Sequence, residues 1–388
     1  MSTHAFTETE ERQELRKQVA KLAATYGRDY FVEKARSGGK TTDLWMAIAK
    51  NGYLGINIPE EYGGGGGGIG DIAAVCEELS AQGCPLLLMV VSPAICGTII
   101  TRYGTEEQKQ KWLPGLCDGT GTMAFAITEP DAGTNTHNIT TTARRDGDGW
   151  VLNGRKIWIS GIDEADNVLV VARTEDARTG KLKPCLFVVP TDAQGFEANA
   201  IPMEIVSPEN QFQVFMDDVR LPADALVGDE DGGLVQLFAG LNPERIMAAA
   251  FSLGLARYAL RQATAYAKER EVFGQPIGAH QAIAHPLAQS HIEIEMARLM
   301  NQKAAALLDA GEEMAAGEAA NMAKYAAAEA ACDVVDRAVQ THGGNGASQE
   351  YGMAGLLVAT RVGRIAPVSR EMILNFVSMH SLGLPKSY

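Results

Sequence analysis

No stretch of the chain approaches the ~20 apolar residues that a helix needs to cross a bilayer. The nearest candidate, residues 84–100 (CPLLLMVVSPAICGTII), is broken by Pro, Ser and Gly and predicts a buried helix instead. Positive charge is scarce: 34 Lys and Arg against 48 Asp and Glu leave a formal net charge of −14. Such an acidic chain is poorly suited to nucleic acid, although a local site can still offer backbone N–H groups and a few arginines to an anion. The opening MSTHAFTETEERQELRK is polar and acidic and has no apolar signal-peptide core. The six cysteines show no CxxC or ligand-like spacing, so free thiols in a reducing cytoplasm are expected. The seven histidines are dispersed, and His285 and His291 have no carboxylate at metal spacing; no metal site is expected. The polyglycine run 63–68 lacks both a Lys-Ser/Thr ending and a GxGxxG pattern. It is not a phosphate loop and reads as a flexible one.

The chain has 388 residues, 46% of them hydrophobic, enough for two or three packed units. Three textures follow one another. Residues 1–118 read as helix, with apolar steps of three and four through Leu15, Val19, Leu22 and Tyr26 and again through Leu44, Ile48 and Ala49. Thr105-Glu106-Glu107 looks like a capped helix start. Residues 119–230 switch to period two, with short apolar runs at Met123–Thr128, Val168–Ala172, Leu186–Val189 and Gln213–Met216. Asn153-Gly154 signals a hairpin and Gly147-Asp148-Gly149 another turn. Helices between these strands are too few for a parallel βαβ sheet, so a small antiparallel barrel or sandwich is expected. Residues 231–388 return to helix, with a stripe through Ile246, Ala249, Ala250, Leu253, Ala256 and Leu260 and an Ala-rich segment at 314–341. That pattern predicts a bundle. The expected fold is therefore α+β and multidomain: an N-terminal helical domain, a middle β domain and a C-terminal helical bundle.

Two segments of the middle region carry chemistry. Phe125-Ala-Ile-Thr-Glu-Pro-Asp-Ala-Gly-Thr134 leaves a strand for a Gly-containing loop. It exposes backbone N–H groups and the Thr128 and Thr134 hydroxyls, which suit a flat heteroaromatic ring and a pyrophosphate. An ordinary β-turn is the alternative. Further on, alternation puts Trp158 and Ser160 on one strand face, and the indole could equally be core.

Taken together, ITEPDAGT and NGRKIWISG resemble the flavin-binding middle domain of the acyl-CoA dehydrogenase family. The resemblance covers nearly the whole chain and includes IPEEYGG at 58–64, REVFGQPIGAHQ at 270–281 and QTHGGNG at 340–346. It implies FAD as cofactor, an acyl-CoA substrate, electron-transferring flavoprotein as acceptor, and a place in fatty-acid metabolism. By this resemblance Phe125, Ile127, Thr128, Gly133 and Thr134 hold the isoalloxazine edge and phosphates, Trp158 lies against the flavin, and Ser160 bonds near N5. Arg270, Phe273, His280, Gln281, Gln340, Gly343 and Gly344 reach the cofactor from a neighbouring subunit, which makes the protein a homo-oligomer, usually a tetramer. Arginine suits phosphate because its guanidinium forks onto oxyanions. Glycine suits places where backbone must approach a ligand closely. Residues 86–96 would line the far end of the acyl pocket, with Leu88 and Ser92 at its floor.

The sequence departs from the family pattern in two places. Gly133-Thr134-Asn135 stands where many members have Gly-Ser-Asp. Near the C-terminus the usual glutamate position is occupied by Arg370, which cannot serve as a base. Abstraction of an α-proton still needs a carboxylate, and one in a dry pocket is drawn toward neutrality and suited to the task. A subgroup resembling isovaleryl-CoA and long-chain enzymes supplies it from a bundle helix, immediately before an arginine. Asn242-Pro243-Glu244-Arg245 matches that arrangement. It makes Glu244 the expected catalytic base, with Glu371 as rival and Thr134, Asn242 and Arg245 as substrate-binding residues. Pro243 either kinks a helix or starts one, with Asn242 as cap. A flavin oxidase or monooxygenase of the same fold, or a non-catalytic FAD-binding assembly protein, is the competing function.

Overall fold

A computed structural model describes residues 8–175, 180–230 and 232–386. The first seven residues of the polar amino terminus, and residue 231 where the helical texture resumes, lie outside that description. In chain order the first helices are α1 (Glu10–Ala24), α2 (Gly27–Ser37), α3 (Thr42–Lys50), α4 (Ile69–Ala81), α5 (Thr98–Tyr103) and α6 (Glu106–Asp118). The strands are β1 (Met123–Ala126), β2 (Thr142–Asp146), β3 (Gly149–Ser160), β4 (Asn167–Glu175), β5 (Leu182–Pro190), β6 (Phe196–Ile201), β7 (Gln211–Leu221) and β8 (Leu226–Val227). Then come α7 (Gly233–Glu269), the small strands β9 (Glu271–Val272) and β10 (Gln275–Pro276), α8 (Gln281–Asp309), α9 (Glu313–His342), α10 (Gly355–Val362) and α11 (Arg370–Phe376). N-terminal helices, a middle β-sheet and C-terminal helices thus follow one another as expected. The backbone forms two compact units. One comprises the chain up to Ser37, Ile69–Leu86 and everything from Arg245; the other comprises Gly38–Gly68 and Leu87–Glu244.

In the first unit, α1 starts where the Thr9 side chain accepts from the Arg12 N–H at 3.2 Å, and Glu10 and Glu11 complement the helix dipole. Arg16 and Arg257 both bond Glu77 and Glu78 of α4, a set of charges that satisfies itself within the helical packing. Helix α9 buries Ala316, Ala319, Ala320, Ala323, Ala327 and Ala331, small side chains that let neighbouring helices approach closely. At Gly254 of α7 the reason for glycine is direct: a Cβ would meet the Glu77 carbonyl oxygen at 2.5 Å. Pro243 lies inside α7, so the alternative in which it starts a helix fails.

The second unit is built on a sheet ordered β6-β7-β3-β2-β4-β5-β8, with β1 added in parallel to β4. It is antiparallel apart from the pairings of β4 with β1 and β2. Trp150, Leu152, Val170, Phe187, Val214 and Val219 fill its core, and the Trp150 and Phe187 rings meet edge to face at 5.0 Å. Helix α6 carries the expected start as a capping box between Thr105 and Gln108. Residues 84–100 are buried as expected, but Val90–Gly97 is π-helix, with Pro93 inside it.

Two expectations are corrected. Asn153-Gly154 is no hairpin, because β3 runs straight through it; the turn is at Gly147-Asp148, where Asp146 pairs with Gly149. Gly154 is needed because β2 leans in: a Cβ there would meet the Thr141 Cα at 2.7 Å. The Asn153 side chain instead bridges to Asp218, whose φ of +48° marks a bulge in β7. The polyglycine run is a tied loop rather than a loose one. The N–H groups of Gly64, Gly65, Gly66 and Gly67 donate to the carbonyls of Pro59, Gly55, Ile58 and Ile56.

Candidate active site

In the second unit, β1 delivers Phe125, buried in the strand, and then Ile127 and Thr128, both half-buried, to the loop carrying exposed Gly133 and Thr134. Beside it β3 has one residue too many. Lys156 pairs with Val214 and Ile159 with Phe212, so the extra residue makes a bulge. Trp158 sits in that bulge at φ +61°, a left-handed conformation that costs a bulky side chain ~1–3 kcal/mol. The indole is thrown outward, 52% exposed, while Ile159 next to it is buried. The bulge resets the alternation, so the facing of Trp158 and Ser160 is set by local strain and not by a simple period of two. It also frees the Ile157 N–H to donate to the Thr128 carbonyl at 3.0 Å, joining the two motifs. The Ser160 hydroxyl is held by the Gln211 amide, at 2.9 Å from Nε2 and 3.1 Å from Oε1.

The π-helix Val90–Gly97 lies against β1. The Ser92 hydroxyl accepts from the Met123 N–H at 3.1 Å and the Cys96 thiol donates to the Ala124 carbonyl at 3.5 Å. Ser92 is therefore committed to the strand. On the π-helix's other side is α7. A Cβ on Gly240 would meet Ile99 Cδ1 at 2.6 Å and Ile95 Cγ2 at 3.0 Å. One turn later is Glu244, half-buried, whose negative charge adds to the burial that pushes the Cys96 thiol well above its usual range. Ile95, Cys96 and Ile99 are wholly buried, and Glu244 is near enough to Cys96 for its charge to act on the thiol. Its neighbours Asn242 and Arg245 are both buried.

The entry to the π-helix is fixed by a buried acid. Glu209 accepts from the Leu87 and Leu88 N–H groups at 2.8 and 3.5 Å and from the Ser207 hydroxyl at 2.8 Å. Burial, abetted by the nearby Glu164, pushes its carboxyl up to about 7 against the pull of those hydrogen bonds. Leu88 then packs under Gly161, where a Cβ would meet Leu88 Cδ2 at 2.5 Å.

In the first unit the remaining motif residues lie on the β9–β10 hairpin, at the start of α8, and at the end of α9 and in the turn after it. The β9–β10 hairpin turns at Phe273-Gly274, with φ of +56° and +78°, and presents a phenyl ring that is 93% exposed. Arg270 is exposed beside it and Gln281 opens α8. His280 packs edge-on to Phe273 at 6.4 Å. The QTHGG turn arrives through His342, stacked on Tyr266 at 4.5 Å, and Asn345, which donates to the Tyr266 hydroxyl at 3.1 Å. Gln340, Gly343 and Gly344 are exposed there. Arg370 does not face a vacancy: it bonds Glu329 at 3.2 Å and lies over the Tyr325 ring. Glu371 follows the Ser369 cap in the first turn of α11 with its side chain 71% exposed, the position of a solvated acid that complements a helix dipole.

The donors fit FAD. Phosphate esters need exposed N–H and hydroxyl groups, which the Gly133 backbone and Thr134 offer, and a flat ring needs an open aromatic face, which Trp158 offers; separately, in the first unit, Arg270 offers an exposed guanidinium. Sequence reasoning missed Gln211, Glu209 and the partners of Lys156 because each acts across strands or loops far apart in the chain.

A strained, outward-facing indole and a half-buried carboxylate are compatible with a site that handles a flat cofactor. The models for the N-terminal, middle and C-terminal domains of acyl-CoA dehydrogenase match residues 9–120, 124–219 and 231–382. The chain belongs to the acyl-CoA dehydrogenase family. It is 62% identical to acyl-CoA dehydrogenase FadE12 of Mycobacterium tuberculosis over 388 residues, 100% of both chains. It is 32% identical to the mitochondrial long-chain specific acyl-CoA dehydrogenase of Mus musculus, over 90% of this chain and 81% of that one. The structure of butyryl-CoA dehydrogenase from Megasphaera elsdenii superposes with a TM-score of 0.90 at 30% identity, covering 97% of this chain and 99% of that one.

Proposed function

We propose that the protein is an FAD-dependent acyl-CoA dehydrogenase that converts an acyl-CoA thioester to a trans-2-enoyl-CoA, with Glu244 as the base that takes the α-proton. The observation that supports the base assignment is that Glu244, half-buried on α7, acts electrostatically on the wholly buried Cys96, with Gly240 a turn earlier letting the π-helix come close. FAD, when bound, supplies the acceptor for the β-hydride. Thr128, Gly133 and Thr134 would hold the ring edge and phosphates, Trp158 would lie against the ring, and Ser160, oriented by Gln211, would donate near its reactive nitrogen. Thr134 and Asn242 bind the thioester end of the substrate, and Arg245 is a further substrate-binding residue.

Arg270, Phe273, His280, Gln281, Gln340, Gly343 and Gly344 serve the cofactor of a neighbouring subunit. Their exposure supports this, as does an apolar stripe on α8, where Ile292, Met296 and Leu299 are 57%, 60% and 55% exposed. A homotetramer in the cytoplasm, passing electrons to an electron-transferring flavoprotein, is the assembly and setting proposed. No helix among the described residues is long and apolar enough to cross a membrane.

Glu244→Gln and Glu371→Gln test the assignment as a pair. General-base catalysis contributes ~10²–10⁴-fold, so Glu244→Gln should slow anaerobic bleaching of the flavin by any reactive acyl-CoA by at least about a hundredfold. FAD content should be unchanged, and Glu371→Gln should stay active. A fast Glu244→Gln with a dead Glu371→Gln would move the base to α11. Two active variants would show that neither carboxylate is the base and that another group takes the α-proton.

A further inference from the structure

Lys156 is wholly buried, which a lysine tolerates only when its ammonium is paired. Its Nζ donates to Glu129 Oε1 at 3.0 Å and to the Ile127 carbonyl at 2.8 Å. Glu129, also buried, accepts in addition from the Thr140 N–H and hydroxyl and from the Thr141 N–H, at 2.5, 2.8 and 2.9 Å. Burial opposes the charge on both groups. For Glu129 the ammonium and the threonine donors win and hold the carboxyl down at about 2, while burial draws the ammonium down to about 8. The shift of Glu129 favours its charged form; that of Lys156 opposes its charge, but at about 8 the ammonium is still mostly protonated at neutral pH.

The placement matters more than the charge. Lys156 and Ile157 are consecutive in β3 and capture consecutive carbonyls, Ile127 and Thr128, of the loop that leaves β1. In a trans peptide the C=O and the following N–H point in opposite directions. A carbonyl of Ile127 turned into the core toward Lys156 therefore turns the Thr128 N–H outward, to the side where Thr128 is half-exposed. The extra residue that lets Ile157 reach Thr128 is the one that throws Trp158 outward. Glu129 completes the clamp, because Thr141, which it binds, is the residue pressed against Gly154.

We propose that Lys156 is a positioning residue for the flavin: its ammonium, neutralised by Glu129, locks the Ile127–Thr128 peptide so that the Thr128 N–H and the Trp158 face are set before the cofactor arrives. This rests on the reading of that cradle as an FAD site.

The test strips flavin from the full chain and titrates FAD back by fluorescence quenching into wild type, Lys156→Met, Glu129→Gln and the double variant, with thermal unfolding of each apoprotein. Lys156→Met leaves a buried carboxylate without its cation, so it should unfold earlier and bind FAD at least about tenfold more weakly, the loss expected for one misdirected donor in a buried site. The double variant removes both charges. Its apoprotein stability should recover while its FAD affinity stays about tenfold weak, because the Ile127 carbonyl still lacks a donor. Glu129→Gln leaves the ammonium without its countercharge and one amide N–H facing donors, so its apoprotein should unfold earlier, while Lys156 still reaches the Ile127 carbonyl and FAD should bind within about threefold. A double variant that binds FAD like wild type would reduce the pair to a structural one and overturn the proposal, as would a Glu129→Gln that loses FAD as badly as Lys156→Met. A wild-type chain that takes up no FAD would instead overturn the assignment of the cradle itself.

Discussion

Replacing Glu209 with glutamine should change how stability depends on pH. The carboxyl is buried beneath the start of the π-helix, and burial first, then the charge of Glu164, raises it from 4.5 to about 7. The surrounding charges are Glu164 itself, Asp163 and the Lys40 ammonium, which lies 2.6 Å from Asp163 and 3.2 Å from Glu164. A carboxyl that holds its proton more tightly when folded favours the folded chain while protonated. That contribution is complete below the unfolded value of 4.5 and lost as pH rises through about 7. At about 1.4 kcal/mol per tenfold change in proton affinity, the full swing is roughly 3 kcal/mol. With an unfolding entropy of ~2.1 cal/mol/K per residue, a chain of 388 residues would show it as roughly 4 °C in Tm. Glutamine keeps an acceptor for the Leu87 and Leu88 N–H groups and carries no charge to desolvate. Calorimetric melts of both proteins from pH 5 to 9 should coincide most closely at the acid end, and the variant should pull ahead above pH 7. Parallel curves across the whole range would show that Glu209 keeps the same protonation state folded and unfolded, and would refute the reasoning.

Gly154→Ala should cost ~1–3 kcal/mol in urea unfolding, because the new Cβ meets the Thr141 backbone at a φ of +154°; an unchanged midpoint would contradict the tight packing of β2 on β3. Arg270→Ala should release FAD on gel filtration and weaken the oligomer with it, since a ligand shared by subunits stabilises their assembly. Full flavin content in that variant would remove Arg270 from the cofactor's partners.

The sequence patterns reached the helices and most strands because each buries a regular face. The stripe through Ile246, Ala249, Ala250, Leu253 and Ala256 is wholly buried in α7, and the Thr105 capping box needs only residues three apart. They failed where a local signal meant something else in context. Asn153-Gly154 has the chemistry of a tight turn, yet here the glycine answers a neighbour, Thr141, that is not adjacent in sequence. The π-helix was invisible because an extra residue per turn leaves no mark in a run that is apolar on every side. The site residues that form linear motifs were legible by resemblance. Their supports were not: Lys156 reads as a surface charge in a strand until Glu129, 27 residues earlier, is placed beside it.

The glycine run at 63–68 also bears on how the chain tolerates change. A string of one residue type looks like a spacer whose length can drift freely. Here consecutive N–H groups each have an assigned carbonyl within 55–59, and Gly64 lies against the Ile58 carbonyl with no room for a side chain. Adding or deleting one glycine would shift every later donor off its acceptor. The run therefore behaves as a fixed-length stitch, and the stretch that looks most tolerant of a change in length is one where such a change does immediate structural harm.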